Sequence, residues 1–277
     1  MILTSKNIVI TGGGGGIGSV VAQKCIAQGA NVILIGINEK ELKSAPHSMY
    51  LVADVASETA IQKAFNTITR TYKTIDVLIN AAGVQHPIGT FYKNKLSSWK
   101  KNIEINLFGT INTTHTVLLF MKKQKFGKII NFSGGGATGP RQNFSAYACA
   151  KTAVVRFTEI LAEEIKKYNI DVNAIAPGAV NTNMLQEVLN EKENAGKEYT
   201  DAVKRKNSGG TSPEIAANLI LFLSSEKSNG ITGRLISAPW DSWKDEKFQN
   251  KLRTEKNMCT LRRIDEKYFY EKKGSCD

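Results

Sequence analysis

The sequence predicts a single α/β domain built on a doubly wound, seven-stranded parallel sheet with helices on both faces. Two observations carry this. Short apolar runs of strand type alternate strictly with helical patterns, and a run of five glycines stands between the first strand and the first helix. Strict alternation requires right-handed crossovers, and these place helices on both faces of a parallel sheet.

In chain order, strand-like runs fall near Ile8 to Thr11, Val32 to Gly36, Tyr50 to Ala53, Ile75 to Asn80, Lys128 to Ser133, Asp171 to Ala176 and Arg234 to Ser237. Helical patterns lie between them, at Ile17 to Gln28, Ser57 to Tyr72, Leu96 to Lys122, Phe144 to Lys167 and Pro213 to Ser224. In such a sheet, ligands bind beyond the carboxyl ends of the strands. Gly12 to Gly18, Asp54, Asn80, Ser133 and Pro177 all fall there.

Two local patterns carry chemistry. The turn Thr11-Gly12-Gly13-Gly14-Gly15-Gly16-Ile17-Gly18 joins a strand to a helix whose period runs through Val20, Val21, Cys25 and Ile26. Glycines let the backbone approach a diphosphate closely, and the helix start offers free amides with the positive end of its dipole. Further on, Tyr147 and Lys151 stand four residues apart in Ala146-Tyr147-Ala148-Cys149-Ala150-Lys151, so one helical turn puts phenol and ammonium on one face. A free phenol, with a pKa of ~10, is a poor acid or base at neutral pH, and a nearby cation is expected to lower that value. Taken alone, the pair reads as a surface Tyr and Lys on an amphipathic helix, and only the rest of the chain changes that. Cys149 reads as helix packing.

Bulk properties narrow the function. The 277 residues suit one domain with an ample core. No signal-peptide pattern opens the chain, and no apolar stretch approaches about 18 residues, so a membrane span is not expected. Cys25, Cys149, Cys259 and Cys276 are scattered without metal or disulfide spacing, which fits reduced thiols in a cytoplasm and no metal site. The net charge of +12, from 37 basic and 25 acidic side chains, is dispersed with no aromatic-interleaved basic run. It therefore suits an acidic small molecule better than nucleic acid.

The ordered set of motifs resembles the short-chain dehydrogenase/reductases, in their compact single-domain branch. It comprises Thr11-Gly12 with Gly16 and Gly18, Asn80-Ala81-Ala82-Gly83, Asn106-Leu107-Phe108-Gly109, Tyr147 with Lys151, and Pro177-Gly178 followed by Thr182. The resemblance spans about Asn7 to Trp240. It implies a Rossmann-type sheet of order 3-2-1-4-5-6-7 and an NAD(P)-dependent oxidoreductase that interconverts a secondary alcohol and a ketone. A small polar substrate is expected, such as a sugar, a sugar nucleotide or a hydroxyacyl derivative. Family members commonly pair through the two long central helices, so a homodimer or homotetramer is expected.

The resemblance also implies site roles. Thr11, Gly12, Gly16, Ile17 and Gly18 would hold the diphosphate. Asp54 would contact the adenine amine with Val55 beside it, and Asn80, Ala81 and Gly83 would run along the adenosine ribose. Pro177, Gly178, Val180 and Thr182 would border the nicotinamide, with Thr182 bonding its carboxamide. Where an acid or an arginine usually reveals the choice of dinucleotide, the chain reads Gly36-Ile37-Asn38-Glu39-Lys40. No carboxylate at Gly36 repels a 2′-phosphate, and Asn38 with Lys40 can meet one, so the balance tips from NAD toward NADP.

Tyr147 would exchange the proton with the substrate oxygen. Lys151 would lower the phenol pKa and hold the nicotinamide ribose, and Asn106 would position a water between Lys151 and solvent. The fourth catalytic residue of the family is a serine thirteen positions before the tyrosine, where this chain has Gly134, while Ser133 stands fourteen before. In a regular strand, Ser133 then points away from the substrate. A bulge at Gly134, Gly135 and Gly136 would instead return it to the site. Both geometries remain open here. If Ser133 is misdirected, Ser145, Asn143 or a substrate group substitutes, or the chain is a catalytically weak cofactor-sensing or scaffold protein of the same fold.

The domain is expected over residues 1–240, with a lid at about 183–210 that carries Lys204, Arg205 and Lys206 within reach of an acidic substrate. Residues 241–277 form an extension expected to dock on the body or on a neighbouring subunit, because Trp240, Trp243 and the apolar pieces near Phe248 and Met258 need burial. From Glu271 onward the residues are expected to be disordered.

Overall fold

A computed structural model describes residues 1–264. The expectation for the segment from Glu271 lies outside the described residues. The elements run β1 (Asn7–Thr11), α1 (Gly16–Ala27), β2 (Asn31–Gly36), α2 (Glu39–Ser44), β3 (Met49–Val52), α3 (Glu58–Thr71), β4 (Val77–Asn80), α4 (Leu96–Ile103), α5 (Gly109–Gln124) and β5 (Gly127–Phe132). They continue with α6 (Ser145–Ile165), β6 (Ile170–Ala176), α7 (Asn183–Glu191), α8 (Lys197–Ser208), α9 (Pro213–Ser224), β7 (Leu235–Ser237) and α10 (Glu246–Thr254). All seven strands are parallel, in the order β3-β2-β1-β4-β5-β6-β7. The predicted sheet, its order and its two helical layers are therefore present. Among the described residues, no helix is long and apolar enough to cross a membrane.

Burial on both faces explains why the strands read as unbroken apolar runs rather than as alternations. One layer packs α1 and α9 on Ile8, Ile10, Val32, Leu34, Ile130 and Ile175. The other packs α3, α5 and α6 on Val9, Ile33, Leu78, Ile129 and Val172. Local signals set the helix starts: the Ser57 hydroxyl accepts from Ala60 N–H, and Ser212 caps α9 with Pro213 at its first turn.

Inside the second layer lies a buried polar network. Asn80 donates to Asn131 Oδ1 at 2.9 Å and to Thr114 at 3.1 Å, and accepts from Thr113 at 2.7 Å. Asn131 donates to Thr158 at 2.9 Å. One set of bonds thus ties β4, β5, α5 and α6 together.

Four features were not visible in the pattern. The helix expected over Leu96 to Lys122 is two helices joined by a π-helical turn at Glu104–Phe108. Asn106 lies in that turn, and its amide bonds both the Val84 backbone across the chain and Asn102 O one turn back in its own helical run. The six-residue α2 forms behind an Asn38 cap and is too short to show a period. The polar segment expected as a lid folds as α7 and α8, whose few apolar residues, Leu185, Val188, Leu189, Tyr199 and Ala202, pack on Ile88 and Phe144. Beyond β7, α10 begins at an Asp245 cap.

The two tryptophans of the extension part ways. Trp243 is 6% exposed, donates its indole N–H to Ala238 O at 3.0 Å and packs beside Phe222. Trp240 is 78% exposed, against the expectation that it is buried. The turn explains the difference: the Asp241 carboxylate accepts from Ser237 N–H at 2.7 Å, curling the backbone so that only the second indole meets the core. Leu252 is buried in the same cluster. Leu235 N–H donates to Cys259 O at 2.7 Å, and Arg234 Nη1 donates to Lys256 O and Met258 O, so the segment runs along β7. Trp243→Ala is expected to lose about 3–5 kcal/mol of unfolding free energy, whereas Trp240→Ala changes it by less than about 0.5 kcal/mol; urea denaturation of both variants measures the contrast.

Candidate functional site

The carboxyl ends of β1, β4, β5 and β6 bring the singled-out residues into one crevice. Gly12 has φ +66°, and its N–H bonds Ile35 O at 2.8 Å. A Cβ at Gly12 would lie 2.7 Å from Ala82 Cα, so only glycine permits this approach of the turn to β4. The Thr11 hydroxyl accepts from Ala82 N–H at 3.3 Å and closes the same contact. Helix α1 begins at Gly16 and Ile17 with no side-chain cap, leaving first-turn amides available to an anion. Thr182 rests against Gly16, so the segment after Pro177 and Gly178 leans over the turn. Val180, bridged to Thr211, holds that segment in place. The chemistry of this glycine turn and uncapped helix start, free amides without side chains, fits a diphosphate such as that of a dinucleotide.

Other members are committed elsewhere. Asp54 Oδ1 accepts from Ala56 N–H at 2.9 Å, and Val55 packs against Gly109. The Asn80 side chain is bonded wholly within the polar network, so it acts through the strand ends it holds. Asn38 Oδ1 accepts from Glu41 N–H at the start of α2, and the Glu41 carboxylate lies against Gly15. Ala81 is partly buried against the first core layer. Gly83 faces Asn106, Lys151 and Met184 together, marking where the phosphate-side and catalytic-side residues meet.

Beside the end of β5, Tyr147 and Lys151 are 6% and 3% exposed. Lys151 Nζ donates to Phe132 O at 3.0 Å and stands 5.7 Å from the Tyr147 ring centroid. The lysine was expected to pull the phenol down toward working pH. Instead, burial pushes the phenol up to about 12, with the Arg141 charge pulling it back and the Glu187 carboxylate adding to the rise. Burial likewise pushes Lys151 down to about 8. Removal from water disfavours the charged form of each group.

Asn106 is fully buried. It accepts from Val84 N–H at 3.3 Å and donates to Val84 O at 2.8 Å and to Asn102 Oδ1 at 3.0 Å. Its amide is thus occupied in fixing the loop after β4. At the end of β5, the Cβ direction of Gly134 runs directly into the Tyr147 hydroxyl. Gly134 therefore occupies the register that faces the phenol. Ser133 is 2% exposed, and its Oγ has no hydrogen-bond partner among the described residues. The Ser145 hydroxyl accepts from Trp99 at 3.1 Å, whereas Asn143 Oδ1 is buried without a partner.

Sequence reasoning overlooked Arg141. Its guanidinium lies 3.8 Å from the Phe144 ring centroid and 5.9 Å from that of Tyr147, and Nη2 donates to Glu198 on α8 at 3.0 Å. Burial works against the Glu198 charge, yet the hydrogen bond and charge of Arg141, with those of Arg205 and Lys197, hold its carboxyl below the usual range. Six residues before the tyrosine, in a loop with no motif, Arg141 carried no signal except its charge.

Among the described residues, no group of three or more His, Cys, Asp or Glu side chains is placed to hold a metal ion.

Comparison with known proteins adds to this geometry. The family described as short chain dehydrogenase matches residues 6–193. The 3-oxoacyl-[acyl-carrier-protein] reductase FabG of Aquifex aeolicus is 33% identical over 244 residues, covering 84% of this chain and 96% of the relative. The levodione reductase of Leifsonia aquatica is 32% identical, covering 81% and 90%. A crystal structure of a levodione reductase superposes with a TM-score of 0.78 at 26% identity, covering 87% of this chain and 98% of the other. A structure of ElxO with NADP bound gives a TM-score of 0.74 at 27% identity, covering 85% and 97%.

Lys151 predicts a pH dependence. Its pKa is about 8 when folded and 10.5 in its ordinary state, so below pH 8 it is charged in both states and the folded protein bears the whole cost of burying that charge. Stability contributed through this group therefore rises between pH 8 and 10.5, by about 3 kcal/mol at most. In urea unfolding, Lys151→Met is expected to lack that rise, so its stability relative to the parent falls steadily across the window.

Proposed function

Because the chain belongs to the short-chain dehydrogenase family, we propose that this oxidoreductase interconverts a secondary alcohol and a ketone on a small polar substrate, using NADP or NAD. A bound dinucleotide supplies or accepts the hydride at the substrate carbon. The observation that carries this reading is the Tyr147 hydroxyl at the carboxyl end of β5, with Lys151 one turn away and anchored to Phe132 O.

Tyr147, its pKa near 12, holds its proton at neutral pH and can deliver it to a carbonyl oxygen during reduction. In oxidation it takes the proton back from the alcohol. Lys151 is fixed through one N–H on Phe132 O, leaving its other donors for a ribose hydroxyl and for charge stabilisation beside the phenol. Asn106 orients the Val84 backbone next to this pair. Gly12, Gly16, Ile17 and Gly18 hold the diphosphate through backbone amides, and Thr182 meets the carboxamide from the opposite wall. The α7–α8 lid, packed on Ile88 and Phe144, excludes water from the reacting atoms.

Support for NADP comes from Gly36, which presents no carboxylate, and from the exposed Lys40. The Glu41 carboxylate beside Gly15 pulls toward NAD. The protein forms a homo-oligomer through α5 and α6, where Leu119 and Ile160 are exposed together with Phe108 in the turn before α5. Its location is cytoplasmic, with no nucleic-acid or membrane partner.

A second reading, a catalytically weak protein that senses or merely holds the dinucleotide, rests on Gly134 facing the phenol and on the unpartnered Ser133 Oγ. Turnover separates the two. With a panel of ketones and NADPH or NADH, the parent is expected to oxidise the dinucleotide, and Tyr147→Phe to lower kcat about a hundredfold or more while its fluorescence-measured dinucleotide affinity stays within about threefold. Binding without turnover on any ketone selects the second reading. Gly134→Ser, whose Cβ runs into the phenol, is expected to lower kcat and Tm rather than to raise activity.

A further inference from the structure

The three glycines after β5 remove the usual hydroxyl from the phenol and, in doing so, admit a cation. A Cβ at Gly135 would lie 3.4 Å from Arg141 Cδ and Nη1, and one at Gly136 would lie 3.1 Å from Arg141 Cβ and 2.6 Å from Ala148 Cβ. A side chain at Gly136 would press on the arginine stem, and one at Gly135 would extend from a Cβ already in van der Waals contact with the guanidinium, so the glycine run leaves the arginine its place. There it stacks on Phe144, a fully buried ring, with its side chain only 15% exposed.

An arginine so placed has more donors than the protein satisfies. Nη2 is bonded to Glu198, while Nε–H and the Nη1 donors meet no acceptor among the described residues. Glu198 also lies 3.9 Å from Arg205 Nη2, so one carboxylate serves two guanidinium groups and the trio keeps one positive charge. Buried without partners in the same part of the molecule are Ser133 Oγ and Asn143 Oδ1. A half-satisfied arginine fork beside the reacting phenol, in a cluster with positive charge to spare, is the arrangement that recognises a carboxylate or phosphate by paired hydrogen bonds.

We propose that Arg141, seated in the space left by Gly135 and Gly136 and braced by Glu198 of the lid, binds an anionic oxygen group of the substrate, so that the substrate is an oxo or hydroxy compound bearing a carboxylate or phosphate. This rests on the dehydrogenase reading and names its substrate class. The anion orients the carbonyl toward Tyr147 and makes good the missing serine through position rather than through a hydroxyl.

The test compares matched pairs in which only the charge differs: acetoacetate with its ethyl ester, and dihydroxyacetone phosphate with dihydroxyacetone. Each is reduced by the purified full chain with saturating dinucleotide. The expected result is that kcat/KM favours the charged member of at least one pair, and that Arg141→Met lowers this charged-to-neutral ratio about tenfold to a hundredfold. Arg141→Lys, which keeps the charge but not the fork, is expected to fall between, and the dinucleotide dissociation constant of both variants to match the parent. Whichever pair responds distinguishes carboxylate from phosphate. A ratio that Arg141→Met and Arg141→Lys both leave unchanged overturns the assignment of Arg141 and leaves the dehydrogenase reading standing. No turnover of any of the four compounds or of the wider ketone panel removes both readings together.

Discussion

The bonded cluster of Asn80, Asn131, Thr113, Thr114 and Thr158 is the constraint on which the site depends. Parallel strands meet their neighbours through backbone bonds alone, and helices meet the sheet through apolar contacts that tolerate sliding. Directional bonds in a dry interior do not tolerate it, because each lost partner leaves a desolvated polar atom. Since β4 and β5 are both tied in, the loops leaving them, Ala81 to Val84 and Ser133 to Gly136, start from fixed points. Since α6 is tied through Thr158, Tyr147 and Lys151 earlier on the same helix arrive at those loops in register.

From this anchor the crevice is completed by close backbone approaches. Gly12 meets Ala82, Gly83 meets Asn106 and Lys151, and Gly134 meets the Tyr147 hydroxyl. Glycine at each place means that backbone, rather than side chain, forms the wall. On the dinucleotide side this suits a diphosphate, which binds amides. On the catalytic side it leaves the phenol without the hydroxyl neighbour usual in the family, in surroundings whose dominant effect is desolvation. Arg141 is the cation those surroundings admit.

The α7–α8 segment and the extension use the same device. Each contributes a few apolar residues to a cluster and is then fixed by polar contacts to the body. Leu185 and Val188 join Ile88 and Phe144, with the ion pair of Glu198 and Arg141 at the rim. Trp243 and Leu252 join the core beside α9, with Arg234 and Glu159 holding the segment that follows. Glu159 accepts from Leu261 N–H at 2.6 Å and faces Arg262 at 3.6 Å, so the last described residues lie on α6.

The sequence by itself determined the sheet, its strand count and the placing of the glycine turn, because apolar period and glycine position are local properties that burial on two faces enforces. It also brought Tyr147 and Lys151 together, since helical spacing alone places them on one face. Tertiary structure decided the rest. Whether position 133 or 134 faces the phenol depends on how β5 ends, and the structure gives that register to Gly134. The phenol's acidity depends on how completely the fold buries it, and burial raises the pKa that the Lys151 charge was expected to lower. Asn80 became a structural tie through Thr113, Thr114 and Asn131, and Arg141 was fixed beside the phenol through Glu198, because in each case a deciding partner lies far away in sequence. Burial and long-range hydrogen bonds are properties of the packed chain, so no local pattern encodes them.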